Sequence, residues 1–349
     1  MYKFLYTECT NEKATEFETK SLLYLFSMRE DSKEIDTFII DCFNDVTGAN
    51  RTCDKLWDVQ SKAIKSLNPT KIGESLITLY ENYISDIKFE FYILFFPKLK
   101  DIYFIDSDKD VFGIENFHNK YISKIMEGLK SEYIRRNKIE AKIEDNENLM
   151  LNIESFIKKV NFVIASGSKS SYIRNIIALR KGFEKDDNFF DSIFNEIRDR
   201  QSSLKNTSIH GIEIQNANEV LKFNKHLNKA EIEMLIINRI IGVDIFKNKG
   251  IPIDFYPIIN GKDIETIRDI IHECNSEISL MLFNNSDKSD FWKLFEKIYI
   301  LVKNNSYKDI NNIFDVVKSE KIIRKKVLNE MSAKYFIALI KEGVENENS

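Results

Sequence analysis

The sequence predicts an α/β core over residues 1–115, followed by a mainly helical carboxy-terminal domain. Three observations carry this. Over the first 110 residues the apolar periodicity changes in the order helix, strand, strand, helix, strand. Beyond residue 145 or so the period is mostly helical. The 349 residues include 11 Gly and 4 Pro, few breakers for so long a chain, which favours helices joined by short connections.

The first element is a helix from Lys13 to Arg29, with Phe17, Leu22, Leu25 and Phe26 near one face. Ile35 to Val46 is rich in β-branched and aromatic residues and reads as a strand bent near Asn44. Thr47-Gly-Ala-Asn50 supplies turn chemistry, and Lys55 to Ala63 alternates as a second strand. Asn68 is a suitable N-cap and Pro69 fits the first helical position, so a helix runs from there to about Ser85. Phe89 to Phe96 is a strand stopped by Pro97, and Ile102 to Ile105 a short further one. A helical stretch over 116–143 carries Lys130, Arg135, Arg136, Lys138 and Lys142; with it, residues 116–145 form a basic connection. The polar run 144–148 is the expected boundary, and 146–349 the helical domain. Its helices are expected over 150–165, 171–182, 188–205, 215–248, 262–275, 289–304 and 307–345, with 250–257 as a loop.

Hydrophobic residues make up 43% of the chain, enough for a sizeable core, which excludes a disordered protein. With 51 basic and 55 acidic residues the formal charge is −4, so the chain does not coat nucleic acid by bulk charge. A local basic groove remains compatible, because phosphate contacts act over about 8–10 Å. Cys9, Cys42, Cys53 and Cys274 show no CxxC spacing and sit mostly among apolar neighbours, as buried thiols do in a reducing compartment. Charge enters the amino terminus too early for a signal peptide, and the longest apolar run, near Phe89–Pro97, is half a membrane span. A cytoplasmic protein without membrane attachment is therefore expected.

The chemistry concentrates on the strand Leu56-Trp57-Asp58-Val59-Gln60-Ser61-Lys62. With period two, Asp58, Gln60 and Lys62 share a face. A carboxylate, an amide and an ammonium in one row suit either a solvated edge or a metal site, since burying them unpaired is costly. Phosphodiester hydrolysis needs oxygen ligands for Mg²⁺ or Mn²⁺ near the scissile phosphate and a cation to manage the attacking water. Asp45, 17 residues before Lys62, would be the first ligand, and Gln60 would add its amide oxygen. Lys62 would orient or deprotonate the water and counter charge on the phosphate. Glu18, on the preceding helix, would contribute through a bound water, with Asp41 and Asp58 as reserve carboxylates. The catalytic set is thus Lys62, Asp45, Gln60 and Glu18, and the metal set Asp45, Gln60 and Glu18.

Asp45…Gln60-Ser61-Lys62 within this element order resembles the PD-(D/E)xK nuclease superfamily in its Gln-x-Lys form. The run through FNDVTGA, LWDVQSKA, NPTKIGESLITLYENYIS and FEFYILFFPKL resembles the amino-terminal double-stranded DNA endonuclease domain of bacterial anti-phage effectors, over about residues 10–110. These occur in cyclic-oligonucleotide (CBASS) and Lamassu systems. The sequence departs from the pattern in lacking a Pro-Asp pair, in carrying Gln for the commoner acid, and in placing Ser61 where an apolar residue is usual. The resemblance implies a restriction-endonuclease-like core, double-stranded DNA as substrate, and restraint or assembly by partner subunits. The helical second half favours the Lamassu form, with an SMC-like ATPase and an accessory subunit as partners. Duplex cleavage favours a homo-oligomer, with two sites around the DNA. A non-catalytic helical adaptor with a degenerate nuclease fold is the alternative, and an RNase another. Ala165–Ser171 imitates the end of a phosphate loop but lacks the first Gly, and reads as helix capping.

Overall fold

The structure, a computed structural model, describes residues 1–4, 12–64, 67–138, 143–177, 185–242, 250–284, 288–304, 309–322 and 328–347. Cys9 and Lys142 lie outside these, as do parts of the helices expected over 171–182, 215–248 and 307–345. The chain divides into two compact units. The first comprises Met1–Ile173 and Phe194–Lys229, the second Arg174–Ile193 and Ala230–Ser349.

In chain order the first unit contains β1 (Tyr2–Lys3), α1 (Glu12–Ser27), β2 (Thr37–Ile40), β3 (Val46–Ala49) and β4 (Leu56–Ser61). There follow α2 (Pro69–Ser75), α3 (Ile77–Tyr83), β5 (Phe91–Phe96), β6 (Val111–Phe112), α4 (Asn119–Asn137), α5 (Ile143–Ile157) and β7 (Val160–Ile164). Next come α6 (Lys169–Ile177), α7 (Asp187–Ser203), β8 (Glu213–Ile214), β9 (His226–Asn228) and α8 (Lys229–Ile241); α6 and α7 straddle the division, and α8 lies almost wholly beyond it. Seven strands form one sheet in the order β6-β7-β5-β4-β3-β2-β9, with β4, β5 and β7 parallel and the remaining pairs antiparallel.

The sheet unit extends well past residue 115, because β7 and β9 complete it. Helix α5 runs through the polar stretch 144–148 where a boundary was expected, and the helix expected over 150–165 stops at Ile157 before β7. The β-branched run Val160–Ile164 is buried between β5 and β6, so tertiary pairing overrides the helical spacing. The expected helix over 215–248 likewise gives up His226–Asn228 to the sheet edge beside β2. Near the amino terminus the turn and strand are exchanged. Thr47-Gly-Ala49 is strand β3, and the chain reverses at Asp41–Asp45, where Asp41 adopts φ 51°. Gly48 allows close cover from α1 and the segment after it, since a Cβ there would stand 3.2 Å from Leu25 and Ile35. The helix from Asn68 is broken at Leu76 into α2 and α3, and the strand expected at Ile102–Ile105 is a 3₁₀ turn at Asp101–Tyr103.

Period two divides the sheet's chemistry. Trp57 points to the α1 side, where Nε1 donates to Asp31 at 2.9 Å, and Phe95 meets Phe17 and Tyr24 of α1 there. Asp58 and Gln60 point to the other side, under α2 and α3, beside a core that includes Ile72, Leu79, Leu94, Phe96, Ile125 and Phe156. Helices α2 and α4 touch backbone to backbone: a Cβ on Gly73 would lie 1.9 Å from the Ile125 oxygen, and one on Gly128 2.2 Å from the Thr70 oxygen. That crossing brings the last turn of α4 beside the start of α2.

The second unit is helical. It contains α9 (Tyr256–Ile259), α10 (Ile264–Phe283), α11 (Lys288–Lys303), α12 (Ile310–Ser319) and α13 (Glu330–Glu347). Helix α13 is its axis: Phe336 packs on Phe291 of α11 at 5.3 Å, and Tyr335 on Phe255 at 5.1 Å. Cys42, Cys53 and Cys274 are buried free thiols. Among the described residues, no helix is long and apolar enough to cross a membrane.

Candidate active site

The carboxyl ends of parallel strands are where open α/β sheets place ligands, because the connecting loops diverge there. At that end of β4, Asp45 stands across from Gln60, one residue beyond the Val46–Val59 pair. Its Oδ2 accepts from three donors: Ser61 N–H at 2.6 Å, Ser61 Oγ–H at 2.8 Å and Gln60 Nε2 at 2.8 Å. The carboxylate thereby extends the ladder past the last residue of β3 and fixes the end of β4. Lys62 continues the strand by donating its N–H to the Phe95 oxygen at 2.8 Å.

The Gln60 side chain is only 1% exposed, so its amide must find partners within the protein. Besides Asp45, Nε2 reaches the Ser61 carbonyl at 3.3 Å, and Oε1 receives the Thr78 hydroxyl of α3 at 2.5 Å. Thr78 Oγ1 also lies 3.1 Å from Asn44 Oδ1. Behind this stands Asp58, fully buried, accepting from Asn82 at 2.7 Å, Thr47 at 3.3 Å and Asn44 at 3.4 Å. Burial pushes its carboxyl up to about 7, and the three hydrogen bonds only partly oppose this. Tyr2 extends the network by donating to Asn82 Oδ1 at 2.8 Å.

A cavity of about 510 Å³ opens beside Gln60, Lys62 and Thr78 and is walled by α2 and α4. Its charged lining is Lys62, Lys71, Arg135 and Arg136 against Glu74 and Glu132, an excess of positive charge. Glu132 receives both guanidinium groups, Arg135 at 2.6 Å and Arg136 at 3.1 Å, and these bonds hold its carboxyl below the usual range. Arg136 also reaches Glu81 at 3.3 Å; burial pushes the Glu81 carboxyl up against that pairing.

The structure therefore gathers Asp45, Gln60 and Lys62 at one strand end, and brings Arg135 and Arg136 of the basic α4 stretch to the same cavity. Glu18 is placed differently. It sits on α1, only 6% exposed, in an ion pair with Lys205, and it does not line the cavity. Asp41 is held by the buried Lys225 at 3.2 Å, and Asp58 is enclosed by amides and hydroxyls. Three participants carried no sequence signal. The Ser61 main-chain oxygen has none by nature. Thr78 and Lys71 are ordinary helix residues until α2 and α3 fold over β4. Ser168 Oγ accepts from Ser171 N–H at 3.3 Å, so the Ser-Gly-Ser stretch caps α6.

The oxygens around Gln60 are hard donors of the kind Mg²⁺ and Mn²⁺ take. Among the described residues Asp45 is their sole carboxylate, and no three His, Cys, Asp or Glu side chains assemble around one point. The Gln60 amide turns its nitrogen to Asp45; with its oxygen there instead, the residues would fit a single cation that keeps several waters. No protein-family model, curated protein or solved structure matches the chain.

Proposed function

We propose that the sheet unit is a divalent-cation-dependent endonuclease acting on double-stranded DNA, of the PD-(D/E)xK type. One observation carries the reading: Asp45, Gln60 and the Ser61 main-chain oxygen meet at the end of β4, beside Lys62 and a cavity whose charged lining is mostly cationic. Bound there, Mg²⁺ or Mn²⁺ would supply Lewis-acid polarisation of the scissile phosphate. Asp45 and Gln60 would hold the cation. Lys62 would orient or deprotonate the attacking water and counter the charge growing on the phosphate. Lys71, Arg135 and Arg136 would take flanking phosphates, where Glu132 now fixes the two guanidinium groups side by side. Glu18, engaged with Lys205, has no part in this scheme.

The wider setting rests on the sequence resemblance. In an anti-phage complex of the Lamassu kind, the helical unit would dock partner subunits such as an SMC-like ATPase and an accessory protein. Their control would keep a cytoplasmic nuclease off the host chromosome. Two copies would act on a duplex.

The test incubates the purified chain, alone and with the products of its neighbouring genes, with supercoiled plasmid and with RNA, in Mg²⁺ and in EDTA. The expected result is Mg²⁺-dependent nicking and linearisation of plasmid that Lys62→Ala abolishes. Equal cleavage by both proteins removes Lys62 from the mechanism. Cleavage of RNA alone reassigns the substrate. Absence of hydrolysis even with partners favours the non-catalytic adaptor.

A further inference from the structure

The Gln60 amide presents its donor end to the place where a cation's ligands would converge. Nε2 lies 2.8 Å from Asp45 Oδ2 and 3.3 Å from the Ser61 oxygen, while Oε1 faces Thr78 at 2.5 Å. The Thr78 hydroxyl is within reach of two acceptors, Gln60 Oε1 and Asn44 Oδ1, and has one proton for both. Asn44 is 8% exposed and Gln60 1%, so within the protein the two oxygens compete for that proton.

We propose that Thr78 is a positioning residue for cation binding: the Gln60 amide turns over when a divalent cation binds, and the Thr78 hydroxyl changes from its donor to its acceptor. This rests on the nuclease reading of the site. In the turned state Nε2 donates to Thr78 Oγ1, the Thr78 proton goes to Asn44 Oδ1, and Asn44 Nδ2 keeps its bond to Asp58. The count of donors and acceptors then closes without an excess oxygen. Asp45 retains its two bonds from Ser61.

The distances on the Asp45 side suit the exchange, and the 2.5 Å contact with Thr78 must lengthen to about 2.9 Å for an N–H donor. An oxygen standing where Nε2 now stands would be 2.8 Å from Asp45 Oδ2 and 3.3 Å from the Ser61 oxygen. An oxygen so placed is repelled by both of the others without a cation. With metal–oxygen bonds of about 2.1 Å at right angles, Mg²⁺ holds neighbouring ligands about 3.0 Å apart. The N–H donor thus occupies a gap of the width that a cation imposes, and holds the site's shape in its absence. Thr78 satisfies the buried amide in either orientation.

The test measures Mn²⁺ affinity of the full chain without nucleic acid, by electron paramagnetic resonance. Thr78→Val keeps the shape and removes the hydroxyl, leaving a turned Nε2 facing a methyl group; affinity should fall about tenfold. Thr78→Ser should bind within about twofold of wild type. In a Gln60→Glu background, whose two oxygens need no turning, adding Thr78→Val should leave affinity unchanged. Thermal unfolding of each variant verifies folding, and the serine variant supplies the comparison if valine proves unstable. Unchanged affinity in Thr78→Val, or the same tenfold loss in the Gln60→Glu background, overturns the proposal. If wild type binds no Mn²⁺, or Asp45→Ala binds it equally well, the cation site itself is wrong and the role of Thr78 fails with it.

Discussion

Replacing Asp58 by Asn should make the sheet unit more stable at pH 8 and remove a pH dependence that the wild type carries. Asp58 is fully buried, and burial raises its carboxyl from the ordinary 3.8 to about 7. The folded protein therefore holds the proton more tightly than the unfolded chain, which releases it near pH 4. The contribution of Asp58 to stability falls as pH rises from about 4 to about 7 and is level on either side, since above 7 it is ionised in both states. The full difference corresponds to about 4 kcal/mol, of which about 2–3 kcal/mol falls between pH 5 and pH 8. Asn is nearly isosteric and leaves the partners satisfied: Oδ1 can accept from Asn82 and Asn44, and Nδ2 can donate to the Thr47 hydroxyl. Urea unfolding followed by Trp57 fluorescence in a Trp292→Phe background reports on the sheet unit alone. The parent should lose stability from pH 5 to pH 8, and Asp58→Asn should lose correspondingly less. A variant with the parent's pH slope, or one destabilised at pH 8 as much as at pH 5, would refute the assignment of the slope to this carboxylate.

Other perturbations address the frame of the site. Gly73→Ala forces a Cβ into the Ile125 carbonyl, 1.9 Å away, so it should cost about 3 kcal/mol in urea unfolding; wild-type stability would mean that α2 and α4 do not cross at backbone contact. Glu18→Ala strands the buried Lys205 and should cost about 3 kcal/mol, most of it recovered in Glu18→Leu with Lys205→Met. Loss of cleavage by Glu18→Ala without loss of stability would return Glu18 to the catalytic set. Paired Arg135→Ala and Arg136→Ala should weaken duplex binding in Ca²⁺. The slope of log affinity against log salt should fall by about one for each phosphate no longer neutralised; an unchanged slope takes α4 out of the DNA path.

The local signals that held were those with a local cause. Asn68 caps α2 by accepting from Lys71 N–H at 2.9 Å, Pro69 opens it, and the alternation of β4 puts Asp58 and Gln60 on one face. The elements that misled the reading are governed by distant partners. Thr47-Gly-Ala49 looks like a turn, yet it is a strand because Gly48 allows Leu25 and Ile35 to cover it closely. Val160–Ile164 and His226–Asn228 are too short to outweigh the helical pattern around them, and only pairing with β5 and β2 makes them strands. The same holds at the site. That Asp45 and Gln60 stand opposite each other was legible because they lie on adjacent antiparallel strands. Glu18 is held by Lys205, 187 residues away, and no local pattern announces a buried ion pair.

A manganese anomalous map of crystals grown in Mn²⁺ tests the central claim most directly. One peak is expected about 2.2 Å from both an Asp45 carboxylate oxygen and Gln60 Oε1, with Gln60 Nε2 turned to Thr78. A map with Mn²⁺ bound elsewhere, or with no Mn²⁺ and Nε2 still on Asp45, would contradict it.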